Sequence, residues 1–103
     1  MKITKEIKFK LIETAAKSKC NHHVAAVAIS KKGNVLGYAY NRHRFISKHG
    51  GKHAEQILFD KHGIKINEMF IVRVNKNKKQ LPIEPCYICQ KIAEKLNIRI
   101  KEV

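Results

Sequence analysis

The sequence predicts a single three-layer α/β/α domain built on a mixed four-stranded sheet. Three observations carry that prediction. An amphipathic helical period opens the chain, four short apolar runs of strand length follow, and helical segments separate the later runs. Strand, helix, strand alternation over the second half implies right-handed crossovers and helices on both faces of the sheet. With 103 residues the chain is long enough for one compact domain and too short for two.

Residues 4–18 place Ile7, Leu11 and Ala15 at four-residue steps, with Ile12 and Ala16 beside them and Lys or Glu elsewhere, so they read as one amphipathic helix. "VAAVAIS" at 24–30 and "VLGYAY" at 35–40 flank Lys31, Lys32, Gly33 and Asn34, the pattern of a β-hairpin whose first strand is buried on both faces. From Asn41 to Gly51 the chain is basic and glycine-containing, a loop leading to a helix at about 53–62 that Gly63 stops. "MFIVRVN" at 69–75 reads as the third strand. A polar run and "LPIEP" lead to a helix at about 86–96, and "IRIKEV" at 98–103 is the fourth strand. Tyr38, Tyr40 and Phe70 fall within strands and are expected in the core.

An apolar content of 44% and a charged content of 29% are those of a globular protein, and charges interrupt the first twenty residues every few positions. No signal peptide and no membrane span are therefore expected, and a cytoplasmic location with reduced thiols follows. Three cysteines, two of them closely spaced, do not make a disulfide framework, which leaves metal binding or catalysis as the leading reading of Cys86 and Cys89. A formal charge of +14 favours polyanionic partners such as nucleic acid or nucleotides. Scattered lysines are equally the composition of solvated helix surface.

Two segments, "KHAEQ" at 52–56 and "EPCYIC" at 84–89, each begin a predicted helix. His53, Cys86 and Cys89 together would hold Zn²⁺ with three protein ligands and leave the fourth tetrahedral position to water, the arrangement of a catalytic site. Cys86 and Cys89 lie three apart at a helix start, where the helix dipole favours thiolates, and Pro85 loses little there by lacking an N–H. Glu55, two positions from His53, is placed to move the water's proton without ligating the metal. A redox pair or packed thiols would be the competing reading of an isolated Cys-x-x-Cys. His-x-Glu followed about thirty residues later by Pro-Cys-x-x-Cys is the signature of zinc-dependent base deaminases.

From about Ser18 to the C-terminus the chain resembles the cytidine and deoxycytidylate deaminase superfamily, and "SKCNHHVAAVAISKKGNVLGYAYN" is similar to the deoxycytidylate deaminase stretch around its first two strands. The resemblance implies a cytidine deaminase-like fold, here a minimal version lacking the usual C-terminal helix and strand. It further implies zinc at His53, Cys86 and Cys89, Glu55 as proton shuttle and, by match of position, Asn41 against the substrate sugar. Ala54 and Pro85, next to the ligands, join Asn41 as expected substrate-binding residues. Arg42 and Arg44, in the basic loop before the metal helix, would hold a substrate phosphate by bidentate contacts. Phe45 and Tyr87 are candidates to stack on a base, or simply to pack. Cys20 reads as a small core residue, and His22 and His23 as end-capping or surface histidines.

The implied reaction is hydrolytic deamination of a cytosine nucleoside or nucleotide, most simply deoxycytidylate to deoxyuridylate. Two alternatives share parts of the motif: a deaminase acting on cytosine or adenosine within RNA or single-stranded DNA, and a non-catalytic zinc-stabilised binding domain. Glu55 argues against the second, since a structural site has no use for it. The 98–103 strand reads as an open sheet edge, so a homo-oligomer is expected, joined through this edge or the 41–52 loop.

Overall fold

A computed structural model describes residues 3–19, 22–41, 53–83 and 86–103. The elements run α1 (Lys5–Ala16), β1 (His23–Ser30), β2 (Val35–Tyr40), α2 (Ala54–His62), a 3₁₀ turn (Gly63–Lys65), β3 (Ile66–Val74), β4 (Gln80–Leu81), α3 (Tyr87–Leu96) and β5 (Arg99–Glu102). The expected mixed α/β architecture is present. The sheet order is β2-β1-β3, with β4 and β5 both on the remaining flank of β3. β1 pairs antiparallel with β2 and β3, β4 antiparallel with Arg73 and Val74, and β5 parallel with Glu68 to Ile71.

The two-residue period of the strands sorts the core into two layers. Ala25, Val27 and Ile29 of β1 and Phe70, Val72 and Val74 of β3 face α1, where they bury Leu11 and Ala15. Ala26, Ala28, Met69 and Ile71 face the other way, against Leu58 and Phe59 of α2 and Cys89 and Ala93 of α3. Both faces of β1 are thus covered, as its unbroken apolar run predicts. Tyr38 and Tyr40 pack against the α1 layer from partly buried positions, and Phe70 lies within it.

Local chemistry sets the element ends. Thr4 caps α1 by accepting from the Ile7 N–H at 3.1 Å. Gly33 turns the β1–β2 hairpin at φ +83, a left-handed conformation suited to glycine. At Gly37 an added Cβ would lie 3.1 Å from His62 Nε2, so the missing side chain lets α2 settle on β2. Asn97 ends α3 in the left-handed region at φ 59, and the Ile98 N–H donates to the Ala93 carbonyl at 2.8 Å.

Two differences from the sequence reading have physical causes. β3 begins at Ile66 rather than at 69, because Glu68, which interrupts the apolar pattern, is buried at 1% exposure with Lys101 of β5 3.6 Å away. The short β4 lies in a segment read as a polar connection. There the Asn75 side chain accepts from the N–H groups of Asn77 and Lys79, both at 2.9 Å, and folds the chain back along β3. Among the described residues no helix is long and apolar enough to cross a membrane.

Candidate metal centre

Both helix starts singled out in the sequence arrive at one place. His53 is the N-cap residue of α2 and Cys86 that of α3, each with extended backbone, and Cys89 lies in the first turn of α3. The side chain of Gln56 accepts from the His53 N–H at 3.2 Å, which ties the N-cap to its own helix. The ligand atoms of His53, Cys86 and Cys89 all lie within 4.8 Å of one another, and Cys89 Sγ is 3.7 Å from His53 Nδ1. Tetrahedral zinc with ordinary Zn–S and Zn–N bonds separates such a pair by about 3.6 Å. The donor set therefore fits zinc.

The Cys89 thiol sits in a buried, anionic setting. Burial, followed by the adjoining Glu55 carboxylate and the Cys86 thiol, pushes the Cys89 thiol far above the usual cysteine range. An uncompensated thiolate is unfavourable here, whereas a divalent ion inverts that balance and binding releases the proton. Glu55, one residue into α2, is only 4% exposed, so its carboxylate meets the ligand group inside the protein.

The ligand group opens on a cavity of about 320 Å³, of a size for a small organic molecule. Its wall includes His53, Ala54, Glu55 and Cys86 from the two helix starts, Pro82 and Ile83 after β4, Val24 of β1, Arg73 of β3, and His22 and Asn41 from just before β1 and just after β2. Asn41 is fixed there by the Val24 N–H, which its Oδ1 accepts at 3.1 Å, and by the His22 carbonyl, to which its Nδ2 donates at 2.7 Å. Arg42, Arg44, Pro85, Phe45 and Cys20 lie outside the described residues. Tyr87 does not line the cavity: it is 71% exposed on α3, with the Lys91 ammonium 5.3 Å from its ring centroid.

Sequence reasoning missed His22 and Arg73 as cavity residues. His23 does cap, its Nδ1 lying 2.8 Å from the Ser18 carbonyl, but its neighbour His22 faces the cavity. For Arg73 there was a signal, a lone cation between Val72 and Val74 in an otherwise apolar strand. Strand alternation sets it on the same side as Met69 and Ile71, toward α2 and α3.

Over residues 2–103 the chain matches the family described as the cytidine and deoxycytidylate deaminase zinc-binding region. Among curated proteins no sequence match reaches significance. Solved structures do match in fold. A single-substitution variant of cytidine deaminase from Mycobacterium tuberculosis superposes with a TM-score of 0.65 at 16% identity, over 96% of this chain and 85% of that one. The dCMP deaminase of cyanophage S-TIM5 in apo form gives 0.62 at 20% identity, over 98% and 87%. Its complex with dCMP and dUMP gives 0.59 at 19% identity, over 99% and 86%.

Proposed function

This chain belongs to the cytidine and deoxycytidylate deaminase family, and from that premise we propose that it is a zinc-dependent hydrolytic deaminase of a cytosine-bearing nucleoside or nucleotide. One observation carries the reading. The His53, Cys86 and Cys89 donor atoms converge beside a buried carboxylate, Glu55, at one end of a cavity of small-molecule size.

Bound zinc supplies Lewis acidity, which makes a hydrolytic water acidic near neutral pH. His53, Cys86 and Cys89 would hold the ion, and Glu55 would stand beside it as a proton carrier rather than a ligand. Glu55 takes a proton from the water and delivers it to the base. In the net reaction the water oxygen stays on the ring carbon, and the amine leaves as ammonia with a proton that has passed through Glu55. Burial of Glu55 keeps that proton from exchanging with bulk solvent between the two transfers. Ala54, at the first position of α2, has a backbone N–H with no acceptor within the helix, a donor suited to the base carbonyl. Asn41 is assigned to the sugar, and Pro85 remains a candidate substrate contact. Arg42 and Arg44 remain candidates for phosphate contacts. The setting is the cytoplasm, where the thiols of Cys86 and Cys89 stay reduced, and the working form is a homo-oligomer.

The charge of +14 favours a second reading, a cytosine or adenosine deaminase of RNA or single-stranded DNA. A screen of ammonia release separates the two. Zinc-loaded protein is offered cytidine, deoxycytidine, deoxycytidylate and short cytosine- or adenine-containing oligonucleotides. Turnover of the free nucleosides or nucleotide is expected; turnover confined to oligonucleotides would establish the second reading instead.

A further inference from the structure

We propose that Arg73 selects a phosphorylated substrate by binding the phosphate of a cytosine mononucleotide from the wall of the cavity. The inference rests on the deaminase reading above and adds the substrate class. Arg73 lies in β3 opposite Val24 on one side and Leu81 of β4 on the other. Val24 is held to Asn41, and Asn41 to His22, so these residues form one contiguous stretch of the cavity wall. His53, Cys86 and Glu55 line the same cavity.

The guanidinium is unusual in this fold. Its Nε is enclosed without a hydrogen-bond partner. Enclosing an unpaired cationic donor is costly. The molecule's buried carboxylate on the same strand, Glu68, shows the contrasting case, with Lys101 3.6 Å away. Arg73 instead lines a cavity whose wall, among the described residues, carries one carboxylate, that of Glu55. A dianionic phosphate satisfies such a group best, because a guanidinium offers several N–H donors in a planar fork that matches phosphate oxygens. A neutral sugar hydroxyl would leave the charge uncompensated. β4, whose Leu81 pairs with Arg73, leads directly into Pro82 and Ile83, which add apolar surface to the same cavity wall.

The test compares deoxycytidylate with deoxycytidine in zinc-loaded wild type, Arg73→Gln and Arg73→Lys, with zinc content and thermal unfolding confirming that each variant is folded. Alongside turnover, equilibrium titration with deoxyuridylate, deoxyuridine, inorganic phosphate and a short cytosine-containing oligonucleotide reads binding without chemistry. In wild type, deoxyuridylate should bind at least about tenfold more tightly than deoxyuridine, in line with one charge-assisted contact. Arg73→Gln should reduce that ratio, and the matching ratio of kcat/KM, to near unity, and Arg73→Lys should restore part of it. An unchanged ratio in folded Arg73→Gln would overturn the assignment of Arg73. Tighter binding of the oligonucleotide than of deoxyuridylate in wild type would overturn the mononucleotide as the source of the phosphate. Absence of ammonia release from every cytosine compound would defeat the deaminase reading itself, while the binding ratios would still decide the role of Arg73.

Discussion

His53, Cys86 and Cys89 can meet because each stands at or just inside a helix start, where backbone direction is fixed and the helix dipole favours anionic ligands. Replacing any one of them removes one of three donors and leaves an incomplete set. His53→Ala, Cys86→Ala and Cys89→Ala are each expected to lower bound zinc from about one per chain to a small fraction of that, as measured by metal analysis after gel filtration. The convergence of His53, Cys86 and Cys89 beside Glu55 was legible in the sequence because few residue types bind zinc and their spacing to helix starts is restrictive. Arg73 and His22 were not. Whether a cation on an apolar strand snorkels to solvent or turns into a cavity depends on what β4 and Asn41 place around it. Those are contacts between segments far apart in sequence.

α2 links the core to the chemistry: its N-terminus bears His53 and Glu55, and its middle bears Leu58, which is 1% exposed against the sheet. Leu58→Ala should cost about 2–5 kcal/mol by leaving a cavity under the helix. Because the helix carries His53, a proposed ligand, the variant should also bind zinc less tightly than wild type, a pairing that denaturant titration with and without added metal would reveal. Elements with a clear period were read closely from the sequence: β2 falls at 35–40 as expected, and α2 ends where Gly63 stops it. β4 has two residues and no period to detect. The early start of β3 was hidden by Glu68, since a carboxylate reads as exposed until its partner, Lys101, is brought alongside by β5.

In the molecule as a whole, α1 covers one face of the sheet and α2 and α3 the other, where their N-terminal ends bring His53, Cys86 and Cys89 together. β5 pairs with β3 on one side, and among the described residues no strand pairs with its other edge. Tyr87 and Ile88, 71% and 58% exposed, give neighbouring α3 an apolar outer surface. A second copy of the chain would cover both. Sedimentation velocity should show a species larger than one chain, with specific activity falling on dilution below its dissociation constant; a monomer with concentration-independent activity would refute this. The layered fold was readable from alternation of strand and helix, whereas its association surfaces depend on which side chains the folded sheet leaves exposed. The most direct test is ammonia release from deoxycytidylate and deoxycytidine by zinc-loaded wild type and Glu55→Gln, with zinc measured in both. Wild type should turn over at least one of the two, and Glu55→Gln should keep its zinc and lose about 10²–10⁴-fold in rate. A Glu55→Gln protein that holds zinc and turns over as fast as wild type would contradict the assignment of Glu55 as the proton carrier.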